Sequence, residues 1–115
     1  MTITRMQVGK KLSRIVKYNG TVYLCGQVAK EYVPDITEQT RTMLERVDEH
    51  LAEAGTDKSK MLSATIYVKN PEDVKAMNEV WFKWIEDCEP PSRTCVIASM
   101  ANPDILVEIT VTAAE

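Results

Sequence analysis

Residues 14–26 read RIVKYNGTVYLCG, two β-favouring runs that are joined by Asn19-Gly20. Asn-Gly between such runs is the strongest short-range signal for a β-hairpin, because both residues tolerate a positive φ. The stretch therefore predicts a strand at residues 14–18, a tight turn, and a second strand at residues 21–25. Gly26 ends this second strand, and a loop continues to Pro34.

A first helix is predicted after this loop. Asp35 is a good N-cap residue, and Glu38 three positions later completes a capping-box-like pair. Gly55 supplies a C-terminal stop. Between these signals an apolar stripe recurs at helical spacing: Ile36, Thr40, Met43, Leu44, Val47, Leu51 and Ala54.

The next segment alternates like a strand and is followed by a second helix. In residues 61–68 the side chains of Leu62, Ala64, Ile66 and Val68 are predicted to face one way, and the intervening ones the other. Asn70 is the predicted cap of the helix and Pro71 its first residue. Its apolar face is formed by Val74, Met77, Val80, Trp81, Trp84 and Ile85.

Two strands complete the chain, and a further one precedes the hairpin. Residues 93–99 and 106–112 are β-rich and are separated by the turn signal Asn102-Pro103-Asp104; residues 2–7 form the first strand. The resulting order is β-β-β-α-β-α-β-β. Because βαβ crossovers are right-handed, both helices are expected on one face of one mixed sheet, an α+β or two-layer α/β fold.

Length and composition limit the function classes. The 115 residues predict one domain, 1–115, and the net charge of −3 argues against nucleic acid as the main partner. A loose basic cluster still allows a local anion site: Arg5, Lys10, Lys11, Arg14 and Lys17. Three unpaired-looking cysteines, one histidine, and the lack of a signal peptide or membrane span predict a cytoplasmic protein without zinc.

Parity predicts two different faces of the sheet. The helix-covered set comprises Val22, Leu24, Leu62, Ala64, Ile66, Val96, Val107, Ile109 and Val111. The opposite set comprises Tyr23, Cys25, Thr65, Tyr67, Arg93, Cys95, Ile97, Glu108, Thr110 and Thr112. This second mixture suits a subunit interface with a small-molecule cleft, and it equally suits an antiparallel face open to solvent.

Several motifs resemble those of the RidA (YjgF/YER057c/UK114) family. They are the hairpin NGTVYLCGQV at residues 19–28, the helix start at 37–40, PSRTCV at 91–96, Asn102-Pro103 and Val107-Glu108-Ile109. Met1-Thr2-Ile3 and the segment 100–103 resemble a YoaB-like side branch. The resemblance implies a chorismate-mutase-like fold and a homotrimer with clefts between subunits. It also implies hydrolysis of reactive enamines and imines, such as 2-aminoacrylate, without a cofactor; an older family label is endoribonuclease.

The resemblance also assigns roles to residues. Arg93 is expected to dock the substrate carboxylate through its planar guanidinium; the alternative is that it pairs with Glu108 or with a neighbour's carboxylate. Cys25, Cys95 and Tyr23 are expected near the ligand. Leu12 and Ser13 stand where the deaminase branch has a tyrosine.

The last strand raises a second difference. The alignment places Thr110 where the family has a water-positioning glutamate, with Glu108 two residues earlier on the same face. A carboxylate accepts a proton at neutral pH and a threonine does not. The resemblance implies an imine deaminase with Arg93, Glu108 and Thr110 in its site, and the two differences from the family pattern count against this activity. A non-catalytic trimer that binds small carboxylates, or regulates a partner, is the alternative, and RNA cleavage ranks third.

Overall fold

A single mixed sheet with two helices on one face makes up the computed structural model, which describes residues 2–115. The strands are β1 Thr4–Val8, β2 Ser13–Tyr18, β3 Thr21–Leu24, β4 Gln27–Val28, β5 Met61–Val68, β6 Ser92–Ile97 and β7 Val107–Ala114. The helices are α1 Ile36–Glu53 and α2 Val74–Ile85, and short 3-10 turns precede β5 and α2. The predicted two-layer α+β fold is confirmed.

The strands lie in the order β1-β2-β3-β7-β5-β6, and β4 also pairs with β7. Only the β5–β6 pair is parallel among the pairs of the described residues. The sequence did not predict β4, in which Gln27 and Val28 pair with Ile109 and Glu108. Two residues are too few to show an alternating pattern, so only the tertiary pairing reveals this strand.

The local signals of the hairpin and of α1 are confirmed. Asn19 and Gly20 have φ values of 51° and 83°, as an Asn-Gly hairpin turn requires. The Asp35 carboxylate accepts hydrogen bonds from the backbone N–H groups of Thr37 and Glu38. The capping box is half complete, because the Glu38 side chain pairs with Arg41.

The predicted start of the second helix needs correction. Asn70 makes no capping hydrogen bond to the helix backbone, and its side-chain amide donates instead to the Asp73 carboxylate at 3.4 Å. Pro71–Asp73 forms one 3-10 turn, and α2 begins at Val74. A tighter turn thus occupies the stretch that the Asn-Pro signal assigned to the α-helix.

The core lies between the helices and the sheet. Its fully buried side chains include Ile15, Val22, Met43, Val47, Leu51, Ile66, Val68, Met77, Val107 and Ile109. Gln39 is buried among them with both amide atoms satisfied: it donates to the carbonyls of Val33 (2.7 Å) and Asp104 (2.9 Å) and accepts from the Leu106 N–H (2.9 Å). One side chain of α1 therefore holds the turn that leads into β7.

Two members of the predicted helix-covered set, Leu62 and Val96, do not face the helices. A register irregularity between Met61 and Ser63 lets Met61 enter the core, whereas Leu62 is 50% exposed. Val96 is also exposed, because it pairs with Tyr67 on the face away from the helices. The predicted alternation assumed that apolar residues face the core. Leu62 lies at the irregularity in β5 and Val96 lies on the edge strand β6, so both are apolar and yet lie outside the core.

Candidate functional site

Within residues 2–115, no helix or strand covers the face of the sheet away from the helices. Its cross-strand pairs are Tyr23–Thr112, Thr65–Thr110 and Tyr67–Glu108. The Ser63 and Thr112 hydroxyl groups are 2.6 Å apart and share a hydrogen bond. These positions agree with the predicted second face for its β3, β5 and β7 members. The face combines aromatic rings, hydroxyl groups and one carboxylate.

Arg93 does not lie on this face. Its Nη1 donates to Oδ1 of Asn78 at 2.8 Å, and its guanidinium carbon is 5.4 Å from the centre of the Trp81 ring. Both partners belong to α2, so the Arg93 side chain points to the helix side of the sheet. The pairing of Arg93 with the buried residue Ala64 in the parallel ladder requires the same direction.

Cys95 follows Arg93 to the helix side, where it packs against the core. Ile97, at the same parity, pairs with the buried Val68 and is half exposed at the sheet edge. The placement of these three β6 residues on the second face was therefore wrong. Because β6 is an edge strand, both of its faces are partly open and polarity does not distinguish them.

Arg93 and Glu108 accordingly lie on opposite faces of the sheet. They make no ion pair among residues 2–115, so the idea that Arg93 pairs with Glu108 of its own chain is excluded. Arg93 is half-buried and uses one N–H on Asn78 while Trp81 supports its flat side. The remaining N–H groups of the fork are available to an anion.

Glu108 lies in a cleft of about 590 Å³ between the β1–β2 turn and the break that follows β3. We call it the hairpin cleft. It is lined by Gln7, Gly9, Lys10, Lys11, Leu12, Arg14, Cys25, Gly26 and Glu108. The structure thus brings Leu12, Cys25 and Glu108 together in one cleft and does not bring Arg93 or Cys95 to them within one chain.

Gly26 makes room for the Glu108 carboxylate. A Cβ atom at position 26 would overlap Oε2 of Glu108 and lie 3.1 Å from its Cδ. The neighbouring Cys25 is held by its surroundings: its N–H donates to the Arg14 carbonyl at 3.0 Å, and Gln27 Nε2 lies 3.3 Å from its sulfur. The absence of a side chain at Gly26 therefore determines where the carboxylate sits.

A second, smaller depression of about 160 Å³ adjoins Glu108 on its other side. Thr110 and Tyr67 line it together with residues 98–101 of the loop after β6. Glu108 borders both depressions, and Thr110 only the smaller one. The two candidate water-positioning groups of β7 are therefore neighbours on one face, and of the two only the carboxylate faces the hairpin cleft.

The remaining predicted ligand residues lie at or outside the rim. Leu12 is 51% exposed, and its carbonyl accepts the Gly9 N–H at 2.8 Å to close the β1–β2 turn. Ser13 and Tyr23 do not line the cleft. The sequence did not assign Lys10, Lys11 or Arg14 to the site, although the basic cluster noted from composition contains all three.

These three cations have no partner carboxylate. Among residues 2–115, the cations in ion pairs within 4.0 Å are Lys17, Lys30, Arg41 and Lys58. The positive charges of the cleft rim are therefore free to meet an anion from outside. Glu108 is the only acidic residue that lines the cleft in the described part of the chain.

Neither a metal site nor a membrane span is found in residues 2–115. No three or more histidine, cysteine, aspartate or glutamate side chains there are grouped so as to hold a metal ion. His50 lies on α1, and its Nδ1 is 2.7 Å from the Arg46 carbonyl. Neither described helix is long and apolar enough to cross a bilayer.

Comparison with known proteins gives one consistent result. A family model described as endoribonuclease L-PSP matches residues 2–115. A RutC family protein of Haemophilus ducreyi is 40% identical over 97% of this chain and 96% of its own. The RutC family protein YoaB of Escherichia coli K12 is 37% identical over 99% of both. A crystal structure of a YjgF family member from Neisseria meningitidis superposes with a TM-score of 0.96 at 36% identity, covering 100% of this chain and 96% of that one.

Proposed function

The chain belongs to the endoribonuclease L-PSP family, the RidA/YjgF family that its motifs indicated, and from this premise we propose that it hydrolyses small 2-imino and 2-enamino acids to 2-keto acids and ammonia. The observation that carries the proposal is the Glu108 carboxylate. It lies in an open cleft, has no ion-pair partner among residues 2–115, and borders a second depression that could hold water. A carboxylate placed in this way is a general base for water.

The carboxylate-binding group must come from a second subunit. Arg93 and Glu108 lie on opposite faces of one sheet, so one chain cannot place both against one small molecule. We propose a homotrimer in which the β6 edge of one subunit meets the hairpin cleft of the next. The uncovered second face, with Tyr23, Tyr67 and Val96 at its surface, supplies the interface.

The proposed reaction needs little from the protein beyond orientation. Arg93 of one subunit would bind the substrate carboxylate with its free N–H groups. Glu108 of the neighbour would take a proton from a water molecule as the water oxygen bonds to the imine carbon. Glu108 returns this proton to the nitrogen, which gives a neutral carbinolamine. In the second step Glu108 transfers the hydroxyl proton to the nitrogen as the C–N bond breaks, so that ammonia leaves and the keto acid remains.

The test is the rate of keto-acid release from freshly generated 2-aminoacrylate and 2-iminobutanoate. Wild type should accelerate it, and Arg93→Ala and Glu108→Gln should each lose about 100-fold or more in kcat/KM. Arg5→Ala, which removes an exposed arginine outside the cleft, is the matched control. Unchanged hydrolysis by both site variants would refute the proposal.

Mixed trimers test the shared site. When Arg93→Ala and Glu108→Gln chains are refolded together in equal amounts, about a quarter of the clefts should combine two intact residues from different subunits. Activity should then rise above that of either variant alone. If the mixture stays as inactive as its components, the two residues do not act together in a site shared between subunits.

Leu12 favours one alternative. A leucine at the rim offers no proton donor where the deaminase branch has a tyrosine, which would suit a trimer that binds small carboxylates without turning them over. Calorimetric binding of 2-oxobutanoate, lost in Arg93→Ala and without any acceleration of imine hydrolysis, would identify this function.

A further inference from the structure

We propose that the basic rim of the hairpin cleft makes the site selective for substrates with a second carboxylate, that is, for 2-imino dicarboxylates. The inference rests on the proposed function and names its substrate class. It is carried by Lys10, Lys11 and Arg14, which line the same cleft as Glu108 and which no motif assigned to it.

The charged residues that line the hairpin cleft are mainly positive. Three cations and one carboxylate line the cleft, and none of the three cations has an ion-pair partner among residues 2–115. The cleft is thus locally positive in a chain whose net charge is −3. One carboxylate per substrate is already assigned to Arg93, so the rim provides positive charge beyond what a monocarboxylate uses.

Hydrogen bonds anchor the backbone of the rim. Lys10 and Lys11 are the central residues of the β1–β2 turn. This turn is closed by the hydrogen bond from the Gly9 N–H to the Leu12 carbonyl (2.8 Å). The Arg14 backbone is bonded to the residue that follows β3, because the Arg14 carbonyl accepts the Cys25 N–H at 3.0 Å. The charged side chains therefore extend from a backbone that is pinned at both ends.

The hairpin cleft is also wide. It measures about 590 Å³ on one subunit before the β6 edge of the neighbour is placed against it, which leaves room for a ligand longer than a three-carbon imine. Glu108 repels a nearby carboxylate, so the distal carboxylate of a longer substrate is best placed at the rim. A substrate of four or five carbons with a carboxylate at each end satisfies both conditions.

The test compares two five-carbon imines of equal length, 2-iminoglutarate and 2-iminopentanoate, generated in situ. In wild type we expect kcat/KM to favour 2-iminoglutarate by about tenfold or more. The double variant Lys10→Gln/Lys11→Gln should lower this preference by about tenfold. Lys75→Gln/Lys83→Gln, which removes two exposed charges of α2 outside the cleft, should keep the wild-type preference.

A binding experiment separates failure of this inference from failure of the proposed function. Calorimetric titration compares 2-oxoglutarate with 2-oxopentanoate on wild type and on both double variants. Tighter binding of 2-oxoglutarate that depends on Lys10 and Lys11 supports the inference even if no imine is turned over. Equal affinities for the two oxo acids, equal measurable rates for the two imines, or tighter binding of 3-phosphoglycerate than of 2-oxoglutarate would overturn it.

Discussion

The two faces of the sheet differ in what a single chain provides for them. The face under the helices is closed: Ile15, Ile66, Val107 and Ile109 have no exposed surface. The opposite face carries Tyr23 at 45% exposure, three threonines and Glu108, and no helix or strand of residues 2–115 covers it. The first face thus forms the core of the single chain, and the second is the face to which the proposed function assigns the substrate and the neighbouring subunit.

The sharpest test of this difference uses two neighbours in β5. Ile66 faces the core and Thr65 faces away, so Ile66→Ala should lower the free energy of unfolding by about 2–5 kcal/mol. Thr65→Ala should change it by less than about 1 kcal/mol. Urea unfolding at one fixed protein concentration measures both. Equal losses would mean that the second face is as much a core as the first.

The buried amide of Gln39 gives the next effect. Gln39→Met keeps the length of the side chain but removes the partner of the Leu106 N–H and of the Asp104 carbonyl, which should cost about 3 kcal/mol; the Val33 carbonyl keeps its bond from the Asp35 N–H. Gln7→Met removes an exposed amide that bonds only to Glu53 and serves as the control. Amide hydrogen exchange should also show earlier opening near Leu106. Protection unchanged from wild type would contradict the role of Gln39 in holding the turn that leads into β7.

Gly26→Ala should separate the two faces functionally. The new Cβ displaces only the end of the Glu108 side chain, so unfolding by urea should shift by less than about 1 kcal/mol. The same displacement should lower kcat/KM for imine hydrolysis by about tenfold or more, because it moves the proposed general base, Glu108, away from the position where it would activate water. Gly9→Ala, whose Cβ would meet only the Leu12 carbonyl at 3.5 Å, is the control.

The smallest effect concerns pH and the outer surface of α1. The hydrogen bond from Arg41 lowers the pKa of Glu38 below its ordinary value of 4.5. The unfolded chain therefore binds more protons than the folded chain near this pH, so this contribution to stability is present above pH 4.5 and is lost as the pH falls below it. Glu38→Gln should flatten the acid limb of the stability curve slightly. An unaltered limb would show that this exposed pair contributes nothing measurable.

The sequence predicted the parts of the fold that depend on local chemistry. Asn19-Gly20 determines a turn, Asp35 caps a helix, and Gly55 has the positive φ of 86° expected after a helix end. The strand β4 and the late start of α2 were not predictable in this way. β4 depends on its pairing with β7, and the start of α2 depends on a single 3-10 turn. Each involves only two or three residues, too few to give a recognisable sequence pattern.

The direction of the candidate site's side chains was predictable only on a strand that has one buried face. Glu108 and Thr110 alternate with buried residues of β7, so parity placed them correctly. Arg93 belongs to an edge strand, and its direction is fixed by the parallel register with Ala64 and by Asn78 and Trp81 of α2. The basic rim was visible only as composition, because its location depends on how the β1–β2 turn folds over Gly26.

The irregularity in β5 has a practical consequence for mutational scanning. Met61 is 7% exposed, and its neighbour Leu62 is half exposed although it is as apolar as the core residues. A scan read by hydrophobicity would score both positions as intolerant, whereas polar substitutions should be accepted at Leu62 and rejected at Met61. Position 62 is therefore a suitable attachment point for a spectroscopic label: it belongs to the interior strand β5, and its side chain lies outside the core.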